Sequence, residues 1–206
     1  MNIDKIGIFA LSNLPDSKQL EIGMSQLLNW GFSLTLANSV FDESFRRMAG
    51  NDKSRAAGFN ALLADGEINL MMAARGGYGV TRCLDDLDWE LLLRRNVPIV
   101  GYSDVTALLL AAYSKGYENG IVGPMLCSQF ASPDFNLRNV ARRNLEKALS
   151  GDCPSFNECN VIKNGHARGP VIPMNLTLMD TLLGTAYMPD LTGCILVLED
   201  ISEPAH

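Results

Sequence analysis

Through residues 1–150, short apolar runs alternate with stretches whose apolar residues recur every three or four positions. A chain patterned this way builds strand–helix–strand units, which commits it to an α/β fold: a mainly parallel sheet flanked by helices. Ile68–Ala74 is an almost continuous apolar run, as a central strand buried on both faces must be. Ile6–Ala10 reads as the first strand. Pro15 and Asp16 open a helix that sets Leu20, Met24, Leu27 and Leu28 on one face, and Gly31 stops it. Phe32–Ala37 alternates as a strand, Lys53–Ala64 reads as a helix, and Asp65-Gly66 as a turn. Further along come a short helix at Trp89–Arg95, a strand at Val97–Val100 and a strong helix from Asp104 to about Lys115. Gly120–Gly123 reads as another strand, and the amphipathic helix Asn136–Leu149 ends at Ser150-Gly151.

The pattern changes after residue 150. Residues 151–173 are rich in Gly, Pro, Asn and Cys without a sustained period, and read as a linker. A helix at Asn175–Leu183, a loop through Met188-Pro189-Asp190 and a strand at Cys194–Leu198 follow. The expected organisation is an N-terminal α/β domain over 1–150, a linker over 151–173 and the start of a second, incomplete domain over 174–206. A helix and one strand cannot bury a core alone.

Charge and cysteine usage narrow the function. A net charge of −6 over 206 residues, with no basic run, argues against nucleic-acid binding. No apolar stretch approaches the roughly 20 residues of a membrane span, and MNIDKIGIFALS lacks the basic start and cleavage site of a signal peptide. The five cysteines are odd in number and form no CxxC pair, so free thiols and a cytoplasmic location are expected. Two histidines and no HExxH give a catalytic metal little support, and no cofactor is expected.

Three segments could carry chemistry. In Pro98-Ile-Val-Gly-Tyr-Ser-Asp-Val-Thr106 a strand turns through Tyr102 and Ser103 into a helix at Asp104. That places the Ser103 hydroxyl on a sharp turn above free helix N–H groups, the arrangement of a nucleophile elbow. The plainer alternative is a Ser-Asp helix cap, and Val105 stands where G-x-S-x-G has its second glycine. Arg75-Gly-Gly-Tyr-Gly79, directly after the buried strand, lets backbone approach a ligand; the alternative is a tight turn. No Gly-Lys-Ser/Thr follows, and Arg82 occupies the third glycine position of G-x-G-x-x-G, which disfavours a nucleotide site. The strand Gly193–Leu198 ends in Glu199 and Asp200, where a carboxylate could orient a base or simply be solvated. Asp85, Asp86 and Asp88 read as turn and capping residues, and His166 lies in the irregular stretch.

Taken together, ARGGYGVTRCLDDLDW, PIVGYSDVTAL, IVGPML and NLTLMDTLLGTAYMPDLTGCILVLEDISE resemble the LD-carboxypeptidases and the related microcin C self-immunity peptidases in content, order and spacing. The resemblance implies a cytoplasmic serine peptidase whose N-terminal domain supplies the nucleophile and whose C-terminal domain supplies a glutamate and then a histidine. Carried over, Ser103 is the nucleophile, Glu199 orients the histidine, and Gly77 and Asp104 lend backbone N–H groups to an oxyanion hole beside Gly76. The implied reaction removes terminal D-alanine from murein tetrapeptides during cell-wall recycling, through an acyl-enzyme. A muropeptide substrate and a homodimer are the implied partners, with no nucleic acid and no membrane.

Three departures accompany the resemblance. The family continues past the LED-x-x-E segment to its histidine, whereas these residues stop at Glu203-Pro-Ala-His206, and His206 is too near Glu199 to match it. Impaired activity is therefore expected, the alternatives being a silent homologue that only binds muropeptide or a partner, or an immunity-type amidase. Pro173-Met174-Asn175 replaces Gly-Gly-Asn and is expected to crowd or reshape the cleft. Ala10-Leu11-Ser12 stands where the family's first strand runs into Pro-Ser.

Overall fold

A computed structural model describes residues 3–152, 155 and 159–201. Its elements run β1 (Lys5–Phe9), α1 (Ser17–Asn29), β2 (Ser33–Leu36), α2 (Asp52–Ala64), β3 (Leu70–Ala73), α3 (Trp89–Arg95) and β4 (Ile99–Gly101). They continue through α4 (Val105–Ser114), β5 (Gly120–Val122), α5 (Phe135–Leu149), β6 (Val171–Asn175), α6 (Leu176–Leu182) and β7 (Ile195–Glu199). The alternation expected from the apolar pattern is present, with boundaries shifted by one or two residues.

Strands β1 to β5 form one parallel sheet in the order β2-β1-β3-β4-β5. Ile6 registers with Leu70, Met71 with Ile99, and Ile99 with Gly120. After β1 the chain first builds outward to β2, then returns to the other side of β1 with β3. The connections leaving β1 and β3 therefore diverge, and a crevice opens at the carboxyl ends of the strands. Every segment singled out in the N-terminal half enters that end of the sheet.

The sheet is buried where the sequence is apolar. Ile6, Ile8 and Phe9 of β1 are shielded from solvent, and Phe9 meets Phe59 of α2 edge-to-face at 5.1 Å. Helix α4 is buried at every position from Val105 to Ala112. It touches β4 and β5 on one hand and β6 and α6 on the other, which is why it is apolar all round. Helix starts are capped by side chains: Asp16, Asn51, Asp88 and Asn175 accept from the N–H three residues on. Asp88 thus has the capping role expected of it. Among the described residues no helix is long and apolar enough to cross a membrane.

Two features were not foreseen. Strand β6 begins inside the stretch read as linker and pairs in parallel with β7, Pro173 opposite Val197. Proline argued against a strand there, but a two-stranded sheet consists only of edges, where a missing N–H is tolerated. Pro173 and Met174 also do not crowd the cleft: Pro173 lines a hollow against Leu109 and Tyr113, and Met174 is buried.

Arg55 of α2 is fully buried and holds the loops at the crevice together. Its Nη1 donates to the Gly50 carbonyl (2.9 Å), and its Nη2 donates to Asp52 Oδ1 (2.7 Å) and the Gly79 carbonyl (3.3 Å). Asp52 also pairs with Arg82 at 2.7 Å, so its charge stays compensated without Arg55. Arg55→Ala removes one of the donors to each of the Gly50 and Gly79 carbonyls, which keep the Ser44 hydroxyl and the Arg82 N–H, and leaves a void where the buried side chain stood. A loss of about 3 kcal/mol is expected, read as a lower urea midpoint at unchanged slope.

Candidate active site

Ser103 sits between the end of β4 and the start of α4 with φ +58°, a left-handed conformation that a residue with a side chain adopts only under about 1–3 kcal/mol of strain. The turn is pinned from the helix side. The N–H and hydroxyl of Thr106 both donate to the Ser103 carbonyl at 2.8 Å. The helix-cap alternative does not hold: the residue ahead of α4 is Asp104, itself helical, and its side chain caps nothing.

The Asp104 carboxylate instead turns inward. It is only 3% exposed, and its Oδ2 accepts from the fully buried Ser12 hydroxyl at 2.6 Å and the Val80 N–H at 3.1 Å. One carboxylate thus joins the chain after β1, the glycine-rich loop after β3 and the elbow after β4. Burial pushes its pKa up, opposed by the Ser12 hydrogen bond, the Val80 N–H and the charge of Arg55.

The glycine-rich loop fits against the serine because two side chains are missing. A methyl group on Gly76 would lie 3.1 Å from Ser103 Cβ and 3.3 Å from its Oγ. Gly77 has φ +137°, and a Cβ there would fall 2.1 Å from Asn13 Oδ1. That same Oδ1 accepts from the Tyr78 N–H at 2.8 Å, while Asn13 Nδ2 donates to the carbonyls of Arg46 and Arg47. Among the described residues, neither the Gly77 nor the Asp104 N–H donates to a protein acceptor.

A pocket of about 670 Å³ opens in front of Ser103, lined also by Arg75, Gly76, Gly77, Gln129 and Ser132. Beside it lies a hollow of about 510 Å³ lined by Glu199. Tyr102 and Gln129 border both, and Gln129 Nε2 donates to the Tyr102 hydroxyl at 3.3 Å. Of the two carboxylates ending β7, Asp200 is engaged: it accepts from Thr177 Oγ1 (2.7 Å), Thr177 N–H (2.9 Å) and Asn175 Nδ2 (3.2 Å), which hold its pKa down, the Thr177 hydroxyl most of all. Glu199 is left to face the hollow. Cys127 lines the Ser103 pocket too, but burial pushes its thiol up to about 12, which disfavours the nucleophilic thiolate. His166 is exposed and lines neither space, and His206 lies outside the described residues.

Sequence reasoning thus singled out Ser103, Gly76, Gly77 and the Asp104 backbone, which the fold brings together, and Glu199, which it sets in the adjoining hollow. It missed Ser12, Asn13 and Gln129. Ser12 and Asn13 carried one usable signal, polar side chains directly after a buried strand.

Because Asp104 is pushed up by burial, the native state binds its proton more tightly than the unfolded chain does. Its contribution to stability therefore declines as pH rises from about the ordinary value of 3.8 through the raised one. In Asp104→Asn the amide oxygen still accepts from Ser12 and Val80, and that decline disappears. Denaturant unfolding from pH 3 to pH 7 is expected to show the variant gaining on the unmodified protein as pH rises; a parallel pair of curves contradicts the assignment.

A strained serine at a strand-to-helix elbow, at the carboxyl end of a parallel sheet and with unpaired backbone N–H groups beside it, defines the α/β hydrolytic class of site. The chain belongs to the LD-carboxypeptidase family: residues 6–123 match the family's N-terminal domain and residues 168–206 its C-terminal domain. It is 31% identical to a putative carboxypeptidase of Streptomyces coelicolor, over 98% of this chain and 66% of that protein. The microcin C7 self-immunity protein of Escherichia coli is 27% identical, over 96% of this chain and 66% of its own length. Among solved structures, the muramoyltetrapeptide carboxypeptidase of Oxalobacter formigenes superposes with a TM-score of 0.82 at 28% identity, covering 97% of this chain and 66% of that one. The chain spans just under two thirds of the length of these relatives.

Proposed function

We propose that these residues are the nucleophile-bearing part of a serine-type LD-carboxypeptidase that releases terminal D-alanine from murein tetrapeptides. The observation that carries the proposal is Ser103 at φ +58° on the elbow, with the unpaired N–H groups of Gly77 and Asp104 nearby. In the proposed mechanism Ser103 Oγ attacks the carbonyl carbon of the bond to the D-residue. The carbonyl oxygen gains negative charge and is met by the two N–H groups. The bond to nitrogen breaks as the proton taken from Ser103 passes to the departing amine, D-alanine leaves, and water releases the acyl group from Ser103, returning a proton to its oxygen. Glu199 orients the histidine that takes the serine proton. The similarity to a muramoyltetrapeptide carboxypeptidase supports the substrate. The domain division is read in the same terms, with 1–150 carrying the nucleophile and 174–206 opening the domain that carries the glutamate.

Among the described residues no histidine lines either space beside Ser103, so the 206 residues by themselves are proposed to work slowly. Loss of one triad member costs several powers of ten, leaving the rate that binding and the oxyanion site supply. The similarity to a microcin self-immunity protein favours a second reading, the same acyl chemistry on a different acyl substrate.

The test is release of free D-alanine from a murein tetrapeptide by the protein and by its Ser103→Ala variant, with and without added imidazole. Slow release that imidazole accelerates and Ser103→Ala abolishes is expected. Equal release by both proteins rules out Ser103 as nucleophile. Fast release without imidazole shows that His166 or His206 reaches the site. Failure on the tetrapeptide with cleavage of an aspartyl sulfamoyl nucleoside selects the immunity-type reading.

A further inference from the structure

The Ser103 pocket contains one charged side chain, that of Arg75, and no carboxylate. Arg75 directly precedes Gly76, the residue packed against Ser103, so its guanidinium belongs to the same wall as the nucleophile. Two of its donors are fixed by backbone: Nε donates to the Gly76 carbonyl at 3.0 Å and Nη1 to the Leu14 carbonyl at 3.4 Å. These bonds orient the planar group, and its Nη2 meets no protein acceptor among the described residues. Arg75 has no carboxylate partner among the described residues, a trait it shares with the part-buried Arg95 and Arg138, but of these three only Arg75 lines the Ser103 pocket. In a chain of net charge −6, a partly buried guanidinium without a counter-ion, held in plane in an open pocket, is arranged for an anion from outside.

We infer that Arg75 binds the free C-terminal carboxylate of the substrate and so restricts the site to the last peptide bond. The inference rests on the peptidase reading above and deepens it. In an exopeptidase acting on the terminal residue, that carboxylate lies a few bonds from the carbonyl carbon under attack. A cation on the wall beside the nucleophile is placed to meet it. Guanidinium is suited to the role because its fork matches a carboxylate in two parallel hydrogen bonds, and it stays charged at any working pH. Arg75 is a specificity residue in this account: it takes no proton and forms no bond to the reacting atoms.

The experiment measures binding, so that it does not depend on the triad base. The Ser103→Ala protein is titrated calorimetrically with a murein tetrapeptide bearing a free terminal carboxylate and with the same peptide as its terminal carboxamide. The carboxamide is expected to bind roughly 10- to 100-fold more weakly, the range for one hydrogen-bonded charge contact. Adding Arg75→Met is expected to bring the acid down to the affinity of the amide. Arg75→Lys, which keeps the charge without the fork, is expected to retain part of the preference, and thermal unfolding of each variant checks that it folds. Equal binding of acid and amide by the Arg75 protein, or an undiminished preference in Arg75→Met, overturns the inference alone. Absence of binding by either peptide removes the muropeptide reading, and this inference with it.

Discussion

The carboxylate of Asp104 meets the Ser12 hydroxyl and the Val80 N–H inside the protein, where water cannot replace either partner. Three chain segments that are remote in sequence converge on that single oxygen. Each follows a different strand of the parallel sheet, so the relative position of the strands fixes the relative position of the segments. A carboxylate so placed is costly to bury, and its raised pKa measures that cost. What it gives in return is a fixed relation between the serine turn and the glycine-rich loop. Neither of the two hydrogen bonds could be satisfied by neighbours in sequence.

Two residues that meet in the same crevice hold positive-φ conformations. Ser103 is left-handed, and Gly77 takes a φ that places it over Asn13. Such conformations persist only where surrounding contacts over-determine them. Here the contacts are Thr106 on one side and Asn13 on the other. Helix α4, buried along almost its whole length between the sheet and the β6–β7 unit, cannot shift to relax the elbow. The strain at Ser103 is thus held by packing from a helix that begins only two residues later.

Kinship with the carboxypeptidases is carried by segments rather than by overall identity, which is about 30%. The departures seen in the sequence sort into two kinds. Pro173 and Met174 changed the side chains of β6 away from the Ser103 pocket, and the site geometry does not involve them. Ser12, by contrast, stands in the buried network behind the nucleophile. From sequence the Pro173-Met174 change carried the expectation of a crowded cleft and Ser12 carried none, because nothing local says which side chain faces inward.

The order of strands and helices was determined by the sequence itself, since apolar periodicity follows from which face each element must bury. So were the elbow and the glycine-rich loop, because backbone geometry at Ser103, Gly76 and Gly77 is a local property of turn residues after buried strands. Long-range pairing was not legible. Strand β6 is defined by its partner β7 and not by its own composition, and the inward turn of the Asp104 carboxylate had no local signal, the resemblance assigning a role only to its backbone N–H. Arg75 read as one residue of a turn until the fold showed it without a counter-ion in front of Ser103. Periodicity encodes what a residue does within its own element; the side chains that meet across three strands are set by the register and order of the sheet, and only the tertiary structure decides those.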